Sequence, residues 1–161
     1  MELSGESDGY MALTVSQDAS LGGNDETYVC ANDNGVLKFI PARLNNSQLT
    51  ETMLNVNSVK GSINGSTIQC TFSATLPTQT TRTPNLALGI SKGAFNSTSG
   101  TLGTPSTVFS SGLVDLGNPN ATATNQITTT VAPTTGHAVV LQQSFAQALL
   151  MTVGMLCLAM L

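Results

Sequence analysis

The chain has 161 residues, enough for one domain with extensions. Charged side chains make up 9% of it, against roughly 25% in an ordinary soluble domain, and Ser, Thr and Asn take their place. The net charge is −4, and the basic residues Lys38, Arg43, Lys60, Arg82 and Lys92 form no cluster, which excludes an electrostatic footprint for a nucleic-acid backbone.

Residues 1–116 hold every Lys, Arg, Asp and Glu, and they read as strands. Gly9–Ser16 places Met11, Leu13 and Val15 on one face and Tyr10, Ala12 and Thr14 on the other. Thr27–Ala31 and Val36–Ile40 are shorter candidates. Ser66–Leu76 shows the cleanest alternation: Ile68, Cys70, Phe72, Ala74 and Leu76 interleave with Thr67, Gln69, Thr71, Ser73 and Thr75. Period two over such a run puts the apolar side chains in and the polar ones out. Asn85–Ser91 repeats the pattern with Leu86, Leu88 and Ile90, and Thr107–Leu116 follows. Turn signals at Gly22-Gly23, Asn34-Gly35, Asn64-Gly65 and Gly100 separate these runs. No strong amphipathic helix interrupts them. The expectation is an all-β domain, an antiparallel β-sandwich or barrel.

Residues 117–137 change character. Seven Thr lie between Asn118 and Gly136, with Pro119 and Pro133. Such a segment buries too little apolar surface to offset its ordering entropy, and Thr with Pro is the composition of O-glycosylated stalks. The expectation is a disordered spacer. Residues 138–161 are mostly apolar, and Phe145–Leu161 contributes 17 residues to the chain end. As a helix this run would span roughly 25 Å, the short limit for a bilayer. No Lys or Arg follows it, unlike a single-pass receptor. Small residues, a spacer and a terminal apolar run describe a glycosylphosphatidylinositol (GPI) signal, with Gly136 as attachment site. An uncleaved membrane tail and a buried helix are the alternatives.

Four sequons precede the tail, at Asn45, Asn64, Asn96 and Asn120. Sugar at these positions would supply the hydration that scarce charge does not, although a chain rich in Asn, Ser and Thr also produces the pattern by chance. Of three cysteines, Cys157 lies in the apolar run, which leaves Cys30 and Cys70 in the polar part. In an oxidising compartment they bridge; otherwise they are two buried thiols. Met1-Glu2-Leu3-Ser4-Gly5 is not a secretory leader. Together the sequons, cysteines and tail favour a chain shortened at its N-terminus over one that is not secreted.

The stretch from Leu3 to Cys30 carries a pattern. Ser4, Gly5, Ser7, Asp8, Gly9 and Tyr10 form a turn into a strand, and Ser16, Asp18, Gly22, Asp25 and Cys30 follow. This resembles the opening of the DOMON domain of ferric-chelate reductases and their relatives. The resemblance continues through the Asn-Gly turn before Ser66–Phe72 with its Cys70-x-Phe72 strand, through Asn85–Ser91, and through Ser110–Leu116. It spans about residues 2–116. It implies an immunoglobulin-like β-sandwich, often extracellular, with a haem or sugar ligand between the sheets. It also implies strands before the Glu-Leu-Ser-Gly motif, absent here. The multi-pass cytochrome core of full ferric-chelate reductases has no room in this chain.

Haem-binding relatives use axial Met and His ligands. The position resembling the ligand Met is Leu21, which has no lone pair to donate. The single His, His137, lies in the stalk. Met11 faces the core of its strand, and Met53 lies in a loop-like segment. The expectation is no haem, and no ferric reduction by this chain alone. Asp18, Asp25, Glu26 and Asp33 surround a Gly-rich turn, where oxygen ligands can hold Ca²⁺, but they match no twelve-residue calcium loop and read as a solvated loop. A hydrolase triad has no base beyond His137. Adjacent Asp25 and Glu26 would point to opposite faces of a strand. Gly100-Thr101-Leu102-Gly103 lacks the Lys and the helix of a phosphate loop.

The sequence therefore supports a non-catalytic module at the cell surface, tethered to the membrane by its C-terminal tail and binding an unknown surface protein or small ligand. The loops after Ser16 and before Ser66 are the expected contact surfaces. The alternatives are a redox accessory domain related to the ferric-chelate reductases and a mucin-like structural protein.

Overall fold

The computed structural model describes residues 1–76 and 85–127. Every regular element among them is a strand. In chain order these are β1 (Glu2–Glu6), β2 (Tyr10–Ser16), β3 (Gly23–Asp33), β4 (Val36–Asn45), β5 (Gln48–Glu51) and β6 (Val56–Asn64). They continue with β7 (Thr67–Ala74), β8 (Asn85–Gly93), β9 (Phe95–Asn96), β10 (Thr101–Leu102) and β11 (Ser106–Asp115). The order is β11-β8-β2-β3-β4-β5 in a six-stranded sheet and β1-β7-β6 in a three-stranded one, and β9 and β10 form a small hairpin. All pairings are antiparallel.

Tight turns set the register. Asn34 and Gly35 both have positive φ, at 53° and 86°, the conformation a two-residue hairpin of matched twist needs. The Asn32 side chain holds this turn by accepting a hydrogen bond from Gly35 N at 2.8 Å. Counting back equally on either side pairs Asp33 with Val36, Cys30 with Phe39 and Glu26 with Arg43.

The two large sheets face each other across a core of Leu3, Met11, Val15, Tyr28, Cys30, Ile68, Cys70, Phe72 and Leu86. Phe72 lies 5.0 Å from the ring centres of both Tyr28 and Phe39. The Cys30–Cys70 pair is a disulfide, joining β3 to β7 and so one sheet to the other. Gly61 permits the close approach of the layers: a Cβ there would sit 2.5 Å from Leu37 Cδ2 and closer still to Gln69 O.

The strand β7 alternates as its sequence does, with Ile68, Cys70 and Phe72 buried and Gln69, Thr71 and Ser73 exposed. By contrast β2 is enclosed on both faces. Its Tyr10 and Ala12 join Val29, Ala31, Ile40 and Ala42 in a second cluster on the far side of the six-stranded sheet, packed by Leu49, Phe95 and Leu102. The Tyr10 hydroxyl donates to Gly103 O at 2.8 Å and fastens the β9–β10 hairpin over this face.

Two strands run well beyond their sequence bounds, and β1, β5, β6, β9 and β10 lie outside them. Both β3 and β4 are longer than Thr27–Ala31 and Val36–Ile40, because their outer ends continue to pair with each other. The largely exposed β6 offers little alternation to read: Asn57, Ser58, Val59, Lys60 and Ser62 are exposed, and Gly61, which faces Leu37, has no side chain to mark the inner side. The first compact unit extends from Met1 to Thr128. After β11 the chain returns along that strand: Gln126 N donates to Ser110 O at 2.7 Å, and the Asn125 side chain bonds Ser110 N and Val108 O. The first residues of the expected spacer thus lie against the domain. Gly136, His137, Cys157 and the apolar tail lie outside the described residues.

Candidate functional site

At one end of the two sheets, β2 ends and β3 begins. The connecting loop holds itself in place. Asp18 Oδ1 accepts from Ser20 N at 2.7 Å, and Ser16 Oγ donates to Ser20 O at 3.1 Å. Asp25 is buried, and its Oδ2 accepts from Gly22 N at 2.7 Å and Gly23 N at 3.2 Å. A carboxylate bound this way serves the backbone of the turn.

Glu26, on the opposite face of β3, points into the inter-sheet side with Tyr28 and Cys30. The Tyr28 hydroxyl donates to Glu26 Oε2 at 3.1 Å. Arg43, its register partner on β4, brings Nη2 to 3.9 Å from Glu26 Oε1 and donates from Nη1 to Asn24 O at 3.0 Å. The guanidinium is 38% exposed and the carboxylate 21%. An ion pair this accessible and this long contributes under about 1 kcal/mol to stability. Burial raises the Tyr28 pKa well above the ordinary phenol value, and the Glu26 carboxylate beside it raises it further. Tyr28 therefore stays a neutral donor throughout the physiological range.

The pair stands between two clefts. One, of about 320 Å³, is walled by Gln17, Asp18, Asn24 and Asp25 with Glu26 and Arg43. The other, of about 350 Å³, opens between the sheets where Leu54, Asn55, Thr75 and Leu76 approach the same two side chains. The loop after Ser16 lines the first cleft. The turn before Ser66 lies at the opposite end, beside a shallow groove of about 470 Å³ bordered by Glu6, Asp8 and Lys92. The structure does not bring these two expected contact surfaces together.

Asp18, Asp25 and Glu26 share one cleft, and Asp33 lies at the far end of β3. Among the described residues no three His, Cys, Asp or Glu side chains are placed to hold a metal ion. Leu21 lies on Gly89: a Cβ on Gly89 would meet Leu21 Cδ1 at 2.5 Å. Met11 is packed in the inter-sheet core against Gly5, and Met53 is 99% exposed. As axial ligands to a haem iron these described residues do not fit: one lacks a donor atom, one is enclosed and one stands in solvent.

Asn45, Asn64, Asn96 and Asn120 are all exposed. Asn45 and Asn64 end β4 and β6 at tight turns. Asn96 Oδ1 accepts from Thr98 N at 2.9 Å and Ser99 N at 3.1 Å.

Sequence reading passed over the Glu26–Tyr28–Arg43 group. Its signal was present in the Asn34-Gly35 turn, whose two-residue geometry places Glu26 opposite Arg43. Comparison with protein-family models, with curated proteins and with solved structures gives no match to this chain.

Proposed function

We propose that the chain is a non-catalytic binding module of the DOMON type. It is displayed outside the cell and held at the membrane by its C-terminal apolar segment. The observation that carries the binding role is the half-exposed Glu26–Arg43 pair, steadied by Tyr28 and open to a cleft on either side. An accessible pair of opposite charges costs little to separate, so a ligand can replace either partner with its own polar group. The disulfide buried between the sheets supports an oxidising compartment, and the four exposed sequons agree with it. Leu21, lodged on Gly89, supports a module without haem.

The test is capture of cell-surface proteins and glycans by the chain, beside its Arg43→Ala and Glu26→Gln variants. Binding should weaken by about tenfold in each, the loss of one charge-assisted hydrogen bond. Equal binding by all three chains, or none by any, would overturn the assignment.

A further inference from the structure

Asn45 is the last residue of β4, register partner of Gly23 on one side and Gln48 on the other. Alternation along β4 turns Leu44 to the buried outer cluster side and places Asn45 on the face that carries Arg43. That face looks toward the polar cleft. Gly23, directly across, has no side chain, and a Cβ built there meets nothing within 4 Å. Gly23 itself borders the cleft with Gln17, Asp18, Asn24, Glu26 and Arg43, so no side chain stands at the position that separates Asn45 from it. Amide, carboxylate and guanidinium groups are the donors and acceptors that sugar hydroxyls and an acetamido group require.

The other three sequons differ. Asn64 lies on the face of β6 opposite Ile63, away from the space between the sheets. The carboxamide oxygen of Asn96 is committed to its own turn. Asn120 follows β11 in a segment whose backbone bonds Asn118.

We propose that Asn45 carries an N-linked glycan whose first sugars lie over the cleft beside Arg43 and Glu26, and so control access to it. The proposal rests on the extracellular reading above, since the modification occurs along the secretory route. In the covalent step the Asn45 carboxamide nitrogen bonds to C1 of N-acetylglucosamine on a lipid-linked oligosaccharide pyrophosphate. The C1–oxygen bond of that donor breaks, the pyrophosphate leaves with the bonding electrons, and the amide proton passes to a base of the transferring enzyme. No oxidant or reductant is required.

The chain, expressed through the secretory route, tests this directly. Peptide mass spectrometry should find Asn45 occupied. Amidase release of that glycan from the folded chain should be several-fold slower than from the denatured one, and Arg43→Ala should abolish the difference. Ser47→Gly removes the sequon while suiting the positive φ of 63° at that position, so the turn survives. It should raise amide hydrogen exchange over residues 17–26. An unoccupied Asn45, or release at equal rates with exchange unchanged by Ser47→Gly, would overturn the proposal. Failure of both glycoforms to capture any surface component would instead remove the binding role and leave the seated glycan standing.

Discussion

Two tyrosines and no tryptophan make the aromatic chemistry of this chain simple to follow. Burial pushes the Tyr10 phenol up to about 12, and burial with the nearby Glu26 carboxylate pushes Tyr28 up as well. Both are neutral donors in the folded state, Tyr10 to Gly103 and Tyr28 to Glu26. The unfolded chain ionises near pH 10 and the folded chain only above it, so the unfolded state binds fewer protons between those values. The stability these groups contribute is whole below pH 10 and declines as pH rises through the folded values. Tyrosinate absorbance should accordingly be absent from the folded protein at pH 10 and appear there in denaturant. A second residue offers a gain. Ser91 Oγ is enclosed with no hydrogen-bond partner among the described residues, which costs part of its desolvation. Ser91→Ala should raise stability by about 1 kcal/mol, read from the denaturant midpoint.

Among the elements, the loop between β2 and β3 is fixed to the sheet through Leu21 and Gly89. Gly89→Ala drives a methyl against the end of the half-exposed Leu21 side chain, which can turn aside, so it should cost no more than about 1 kcal/mol. Leu21→Ala in the same chain should return part of that loss, and a double-mutant cycle measures how much. The strands that were legible in sequence are those with one clear reading. Alternation in β7 and β8 marks which side faces the other sheet, and Asn34-Gly35 marks a hairpin. Legibility fails where burial does not follow the pattern. Tyr10, Ala12 and Thr14 sit on a face that is covered by other parts of the chain, and covering is a tertiary fact. In β6 the failure is the reverse: Val56 and Ile63 pack on the core, but the register break and Gly61 between them leave no apolar period to read. Its edge is nonetheless guarded by a break in register between Asn57 and Lys60, with Ser58 at a φ of 56°. A bulge and a Lys on an edge hinder pairing with a second chain. Of the site, Glu26 and Arg43 were recoverable from turn geometry. Their clefts were not, because they depend on how far apart the sheets end.

For the whole molecule the disulfide matters most. The first compact unit is small, and a domain of this size buries a modest fraction of its unfolded surface. Cys30 and Cys70 are separated by 40 positions and fully enclosed. Closing such a loop contributes about 4 kcal/mol by the chain-entropy argument, a large share of the net stability of a typical domain. Replacing both cysteines with Ala should lower the unfolding free energy by about 2–5 kcal/mol. The loss should be seen as a fall in the denaturant midpoint, with the slope altered because the unfolded chain expands.

The same bond bears on what happens under mechanical load. A pull applied beyond β11 strips strands from the C-terminal side, but the residues between Cys30 and Cys70 stay looped while the sulfurs remain joined. That withholds about 140 Å of contour length at the usual reach of an extended chain. Once the surrounding strands have been pulled away, cleavage of that bond would therefore add this length to the stretched chain in a single step.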